Sequence, residues 1–323
     1  MKAIVYTGKG TPDRLTVKVS AKPEARDNEV LVKIHAATVT PSDLEGMGII
    51  RISKLFTAPS KRTEAIPGVE FAGVVEETGK KVRHYKAGDR VFGSAGTKYG
   101  AWAEYLCLPN NGVLAPIPAN MSFEEAAGIC DGALTALHFL INKAKMGKGQ
   151  SVLINGASGS VGTCAVQLAK YLQCSVTGVC SAGNAELVRS LGADRVIDYS
   201  KENFTQIGQT FDIVFDAAAK SSFLKCKRIL KPNGIYLTTV PSPGVLLAML
   251  LTRFSGGKRA LFAAAGLAKR KVKLKALRLI CKLLQAGELR SVVDRSYTFE
   301  QIPEALRYVG QGHKKGSVII APE

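Results

Sequence analysis

The chain lacks an apolar run long enough to span a bilayer. Its most apolar stretch, residues 245–251, gives way to Thr252 and Arg253 after seven residues, where about 20 are needed. No apolar stretch of signal-peptide length follows Lys2, so the expectation is a protein that stays in the cytoplasm. Cysteine lacks any pairing pattern: Cys107, Cys130, Cys164, Cys174, Cys180, Cys226 and Cys281 are seven, an odd number, with no C-x-x-C among them. A disulfide framework is excluded in favour of reduced thiols packed as small hydrophobes. The four histidines, His35, His84, His138 and His313, have no H-x-x-x-H spacing and no cysteine partner, so they predict no metal site. Acid is scarce: 26 Asp and Glu face 44 Lys and Arg, a formal charge of +18.

That charge points to an anionic partner. A dinucleotide phosphate would be one, although a single small ligand accounts for only part of the excess. The basic residues are densest from Lys269 to Lys282, where Leu274, Leu277, Ile280 and Leu283 recur at helical spacing. This reads as an amphipathic helix with a cationic face. The face is read as solvated, with adhesion to an anionic membrane surface or to nucleic acid as the alternatives. No interleaved aromatics favour single-stranded nucleic acid.

The remainder is ordinary. With 323 residues, 46% hydrophobic and 22% charged, the chain is globular and too long for one core, so two domains are expected. Residues 1–122 carry short β-runs such as Ala3-Ile4-Val5-Tyr6, Val30-Leu31-Val32, Gly73-Val74-Val75-Glu76 and Trp102-Ala103-Glu104-Tyr105-Leu106, punctuated by glycine and proline, which reads as a mostly antiparallel β domain. Within it, residues 49–65 form a long basic connection, a lid or flap. From Ser122, which stands three residues before Glu125 in capping-box spacing, the period changes to strand alternating with helix. Residues 123–269 therefore predict an α/β domain with a doubly wound parallel sheet. Residues 241–258 read as a loop within it. After the basic helix, residues 291–321 return to β-type runs, and residues 270–323 are expected to complete the first domain.

The chemistry concentrates in one turn. Strand Ser151-Val152-Leu153-Ile154 enters Asn155-Gly156-Ala157-Ser158-Gly159-Ser160-Val161-Gly162 and then a helix. Against G-x-G-x-x-G the positions are Ala157, Gly159 and Gly162, so alanine replaces the first glycine. Gly159 would let the backbone approach a pyrophosphate, Gly162 would let helix and strand close up, and the N–H groups around Ser160, Val161 and Gly162 would face the phosphates, beside Ser158. NAD-preferring sites place an acid at the end of the second strand. Here that end reads Gly178-Val179-Cys180-Ser181-Ala182-Gly183-Asn184. Hydroxyl and amide donors suit a 2′-phosphate, so Ser181, Asn184 and Tyr199 are assigned to NADPH.

The sequence resembles the medium-chain dehydrogenase/reductase superfamily, in its zinc-free quinone oxidoreductase branch of zeta-crystallin-like and chloroplast-envelope quinone oxidoreductase-like proteins. The resemblance covers nearly the whole chain. It rests on the ordered segments Ala37-Thr38-Val39-Thr40-Pro41-Ser42-Asp43, Pro67-Gly68-Val69-Glu70-Phe71-Ala72-Gly73, Gly88-Asp89-Arg90-Val91-Phe92-Gly93, Gly132-Ala133-Leu134-Thr135-Ala136, the turn 155–162, Ser190-Leu191-Gly192-Ala193-Asp194 with Asp198-Tyr199, and Gly312-His313-Lys314-Lys315-Gly316. It implies a GroES-like catalytic domain, a Rossmann cofactor domain, a cleft between them and a homodimer. Thr40 and Val69 stand where zinc-dependent relatives place ligands, so no metal is expected. Without a Lewis acid, the accessible chemistry is hydride transfer from NADPH to a quinone or to the C=C bond of an α,β-unsaturated carbonyl. Thr40 and Ser42 are the implied groups polarising the substrate, and Thr135 and Pro241 the nicotinamide contacts. Gly183 stands where relatives often have Arg or Lys for the 2′-phosphate, leaving Arg189, Arg195 or Lys201 to compensate. Two other readings stay open: an enoyl-thioester reductase, and a non-enzymatic NADPH-sensing binding protein at an anionic membrane or RNA.

Overall fold

In chain order the elements of the computed structural model are β1 (Lys2–Tyr6), β2 (Leu15–Val19), β3 (Glu29–Val39), α1 (Pro41–Gly46), β4 (Glu70–Thr78), β5 (Arg90–Ser94), β6 (Tyr105–Pro109), β7 (Val113–Pro116) and α2 (Phe123–Leu137). Then follow β8 (Ser151–Asn155), α3 (Ser160–Tyr171), β9 (Ser175–Cys180), α4 (Ala185–Ser190), β10 (Arg195–Asp198), β11 (Phe211–Asp216), α5 (Phe223–Cys226), β12 (Leu230–Thr238), α6 (Pro243–Thr252) and β13 (Arg259–Phe262). The chain ends in α7 (Arg270–Gln285), β14 (Val293–Thr298), α8 (Ile302–Gly310) and β15 (Ser317–Ala321). Residues 1–7, 11–47, 65–253 and 256–322 are described. The connection expected as a lid, residues 49–65, lies outside them except for Ala65, whose carbonyl accepts the Tyr6 N–H at 3.0 Å.

The chain divides into two units. A β unit draws on the described parts of Met1–Arg51, Thr57–Asp131 and Ala268–Glu323, and an α/β unit is built on Gly132–Leu267, so α2 begins in one and ends in the other. Ser122 and Glu125 make the capping box that opens α2: the Ser122 N–H reaches Glu125 Oε2 at 2.9 Å and the Glu125 N–H reaches Ser122 Oγ at 3.1 Å.

In the β unit a seven-stranded sheet runs β14-β15-β3-β4-β5-β7, with β6 also paired to β3. All its pairings are antiparallel except β14 with β15. Its core gathers Phe71, Trp102, Val75, Leu44, Phe299 and Ile320. The pairing of the long β3 with β4 shifts register twice, once through an extra residue on β4, Glu76, and once through an extra residue on β3, His35. The α7 residues Leu277, Ile280 and Leu284 are buried, and the helix packs on β7. That stripe is spent on the fold, and the side that faces water is mostly charged.

The α/β unit holds a six-stranded parallel sheet in the order β10-β9-β8-β11-β12-β13. The order reverses between β8 and β11, the point outside whose carboxyl ends such sheets bind ligands. Val152, Leu153 and Ile154 are fully buried in succession, as a strand covered on both faces requires.

Four expectations about local structure change. Residues 241–258 include α6: Pro241, Pro243 and Gly244 read as turn signals, yet proline is at home in a first helical turn, and Ser242 Oγ accepts the Val245 N–H at 3.2 Å. The tail contains α8 between its two strands, preceded by a 3-10 turn that Thr298 caps, its N–H reaching Gln301 Oε1 at 2.9 Å. The strand expected at Trp102 begins at Tyr105, because the buried indole is held by donating to the Thr38 carbonyl at 2.9 Å. The helix expected over 222–230 is the single turn α5 followed by a 3-10 turn.

Candidate active site

The turn between β8 and α3 is shaped by backbone crowding. Gly156 sits at φ 81°, and a Cβ there would lie 2.8 Å from the Ala218 Cβ. A Cβ on Gly162 would lie 2.0 Å from the Gly156 carbonyl oxygen, so the first turn of α3 rests directly on the loop. Gly159, the N-cap of α3, differs: the nearest atom to its missing Cβ is 3.6 Å away. The open space lies where a ligand backbone would approach, and no side chain caps the helix. First-turn N–H groups such as those of Val161 and Gly162 have no intrahelical acceptor and stand at the positive helix end, so the cradle fits a pyrophosphate. Ala157 is fully buried, with its N–H committed to the Val179 carbonyl at 3.0 Å, and it packs beneath the turn.

At the carboxyl ends of β9 and β10 the residues assigned to the 2′-phosphate come together. Asp198 pairs with Cys180 in register, and the Tyr199 N–H reaches the Cys180 carbonyl at 3.2 Å. Tyr199 is 53% exposed, and Ser181 is half-buried at the start of a 3-10 turn. Asn184 is buried, and its amide donates to Ser158 Oγ at 3.1 Å. It therefore fastens the turn after β9 to the turn after β8. Arg195 lies at the opposite end of β10, bonded to Gln209 and Glu202. Arg189 acts on the Cys180 thiol and Lys201 on the Asp198 carboxylate, which places these two cations at the relevant end. Thr135 is half-buried on α2, one helical turn beyond Gly132, where a Cβ would lie 2.5 Å from the Ser160 carbonyl oxygen. Pro241 is half-buried between β12 and α6.

A buried network that the motif does not reveal supports the turn. Asp216, fully buried at the end of β11, accepts from Asn155 Nδ2 at 2.7 Å, the Ser221 N–H at 2.8 Å and Tyr236 Oη at 3.0 Å. Burial and the Asp216 carboxylate push the Tyr236 phenol far up. The continuous apolar runs of β8 and β11 hide both polar ends; only their position at the strand termini could have marked them.

In the β unit, Thr40 caps α1. Its N–H and Oγ1 both donate to Asp43 Oδ2, at 2.8 and 2.7 Å. The Thr40 hydroxyl proton is thus occupied by the buried Asp43, whose pKa desolvation raises to about 6. Ser42 on the same helix is exposed. Glu70, also buried, accepts from Thr38 Oγ1 at 2.8 Å, and burial, with Asp131 and Asp43 nearby, holds it well above the usual carboxylate range. Tyr99 adjoins these groups: burial, then Asp43 and Glu70, raise its phenol, while the residue remains 44% exposed. No local motif marks Tyr99, since the chain returns to α1 only from beyond β5.

A family model described as an alcohol dehydrogenase GroES-like domain matches residues 26–119, and one described as zinc-binding dehydrogenase matches residues 191–320. The 2-methylene-furan-3-one reductase of Solanum lycopersicum is 32% identical, over 100% of this chain and 79% of its own length. The chloroplastic NADPH-dependent alkenal/one oxidoreductase of Arabidopsis thaliana is 30% identical, over 100% of this chain and 80% of its own. Among solved structures, the quinone oxidoreductase from Coxiella burnetii superposes with a TM-score of 0.86 at 27% identity, covering 100% of this chain and 99% of that one. Zinc, named in one family description, does not fit the donor set. Val69 has no donor atom, the Thr40 hydroxyl is bound to Asp43, and no group of three His, Cys, Asp or Glu among the described residues could hold a metal.

Proposed function

The chain belongs to the medium-chain dehydrogenase/reductase superfamily, among its quinone and alkenal/one oxidoreductases, and on that premise we propose a zinc-independent, NADPH-dependent reductase of quinones or of the C=C bond of α,β-unsaturated carbonyls. The cofactor supplies a hydride when bound. The rest is the work of the chain's own side chains and backbone. The observation that carries the reading is the open Gly159 cradle ahead of an uncapped α3 at the sheet's reversal point.

The α/β unit, with Ser158, Gly159, Ser160, Val161 and Gly162, holds the pyrophosphate over Ala157, and Ser181, Tyr199, Arg189 and Lys201 receive the 2′-phosphate, with Asn184 keeping Ser158 in place. Thr135 and Pro241 flank the nicotinamide. Residues 1–122 with 270–323 serve as the catalytic domain and residues 123–269 as the cofactor domain. Negative charge gathers on the acceptor oxygen during transfer, so a donor aimed there contributes most. Ser42 and Tyr99 are the donors offered, because the Thr40 proton is already engaged by Asp43. Thr40 caps α1 and holds the Asp43 carboxylate in place. By family analogy the working form is a homodimer.

The test is NADPH oxidation by the purified protein with quinones, enals, enones and enoyl thioesters, run beside NADH. Turnover with free quinones or enones and preference for NADPH support the proposal. Turnover confined to thioesters makes the protein an enoyl-thioester reductase, and NADPH binding without oxidation of any acceptor makes it a cofactor-sensing binding protein.

A further inference from the structure

The positive charge is not spread evenly. Between Asp216 and Glu288 the chain has 15 Lys and Arg and no Asp or Glu, against a net charge of +18 for the whole. The later part of this stretch is α7, whose Leu277, Ile280, Leu283 and Leu284 are already buried. The earlier part belongs to the α/β unit and contains α6.

Helix α6 has one face docked and one bare. Val245 and Ala248 are buried. The Met249 sulfur accepts the Phe262 N–H at 3.1 Å, and Thr252 Oγ1 accepts the Ala260 N–H at 3.1 Å, which fixes that face on β13. On the other side Leu247, Leu250 and Leu251 are 57%, 61% and 64% exposed, at i, i+3 and i+4. Three leucines in that spacing form one stripe. Beside it, α5 packs against α6 with Leu224 79% exposed. The Lys258 ammonium donates to the Lys227 carbonyl at 2.8 Å, which draws the turn after α5 to the start of β13. Lys227, Arg228 and Arg259 there are exposed.

We infer that this face of the α/β unit is a docking surface for an anionic lipid bilayer, with the α6 leucines entering the headgroup boundary and the neighbouring cations meeting the lipid phosphates. Aliphatic side chains ringed by Lys and Arg are the composition of interfacial helices. Each basic residue brought near an anionic leaflet adds roughly fivefold to affinity. The alternatives fit the chemistry less well. A nucleic acid would use the cations and leave the leucines in water, since base stacking needs aromatic rings. A second copy on a two-fold axis would set these cations against themselves, with no acid between Asp216 and Glu288 to answer them.

The experiment is flotation of the intact protein with vesicles of phosphatidylcholine, alone or mixed with phosphatidylglycerol. Two variants run beside it, Leu250→Ser with Leu251→Ser and Lys227→Glu with Arg228→Glu, each checked by circular dichroism and sedimentation velocity. The inference expects binding to the mixed vesicles on the order of tenfold tighter than to phosphatidylcholine, with both variants losing it on the order of tenfold or more. It is overturned by absence of binding to the mixed vesicles, by full binding in the leucine variant, or by a duplex RNA that binds as tightly and competes. A leucine variant that changes oligomeric state yet floats as the parent does would assign the face to a second copy and overturn it too. Because vesicle binding is read without cofactor or acceptor, its failure leaves the reductase reading standing, and the reverse holds.

Discussion

The Asn155 side-chain amide donates to Asp216 Oδ1 at 2.7 Å, joining the ends of the two strands between which the parallel sheet reverses its order. The same Asn155 offers its carbonyl to the Ala217 and Ala218 N–H groups at 3.0 and 3.2 Å. The glycine turn and the turn after β11 are thereby tied to each other. Asp216→Ala leaves the Asn155 amide, the Tyr236 hydroxyl and the Ser221 N–H without an acceptor in a buried place. The expected loss is about 3–5 kcal/mol of stability. Asp216→Asn keeps one accepting oxygen and is expected to lose about 1–2 kcal/mol. Urea denaturation of the two variants distinguishes them; equal losses would mean that the carboxylate has no special part in the network.

Gly159 and Gly162 should fail in different ways when replaced by alanine. Gly162→Ala forces a methyl to within 2.0 Å of a backbone carbonyl, so the turn must distort, and both stability and NADPH affinity are expected to fall. Gly159→Ala meets nothing nearer than 3.6 Å in the free protein. It should fold with a thermal midpoint close to that of the parent and still bind NADPH at least tenfold more weakly, because the methyl occupies the path of the pyrophosphate. Calorimetric titration beside thermal melts reads both quantities. A Gly159→Ala protein with parental affinity would remove the phosphates from this turn.

What the sequence made legible follows from how local each signal is. The β8–turn–α3 motif and the Ser122–Glu125 cap are settled by neighbours within a few residues, and the strand–helix alternation reports the parallel sheet directly. Helix α6 was hidden because Pro241, Pro243 and Gly244 carry opposite local and tertiary meanings: breakers in a loop, starters in a helix anchored by Ser242. Tyr99 and Glu70 were hidden for a different reason. Their proximity to α1 is made by sheet pairing, β3 with β4 and β4 with β5, across tens of residues. The cationic helix α7 is periodic in sequence, but only packing shows that its apolar stripe is already in use.

Gly183 is exposed, with nothing within 4 Å of where its Cβ would stand. An arginine is therefore accommodated without strain and brings a second planar cation beside Arg189 and Lys201. Gly183→Arg is expected to raise the ratio of NADPH to NADH affinity by about tenfold through charge-assisted hydrogen bonds to the 2′-phosphate. Tyr199→Phe with Ser181→Ala should lower the same ratio. Fluorescence titration with both coenzymes measures it; if neither variant moves the ratio, the 2′-phosphate binds elsewhere.

Tyr99→Phe and Ser42→Ala separate the two donors offered to the acceptor. Loss of a positioned proton donor is expected to lower kcat by about a hundredfold, the lower end for general acid catalysis, with KM little changed. The affected variant should fail on enones, whose product oxygen must be stabilised as charge develops. Steady-state kinetics with one enone and one quinone provides the comparison. Parental kcat in both variants would leave solvent as the proton source.

Asp43 and Glu70 make stability depend on pH in the direction opposite to ordinary acid denaturation. Desolvation raises the Asp43 pKa from 3.8 to about 6. Between those values the native state binds more protons than the unfolded chain, so this group's contribution falls as pH rises from about 4 through 6 and stays low above that. Burial shifts Glu70 in the same direction and extends the window upward. At pH 8 the Asp43 shift corresponds to a penalty of about 3 kcal/mol. Asp43→Asn keeps an oxygen to accept from Thr40 and removes that penalty, less about 1 kcal/mol for amide hydrogens without partners. The variant should thus exceed the parent by about 2 kcal/mol at pH 8, with the advantage disappearing toward pH 4; Glu70→Gln should show the same trend. Parallel stability curves for parent and variants across this range would mean that both carboxyls ionise in the native protein as readily as in the unfolded chain.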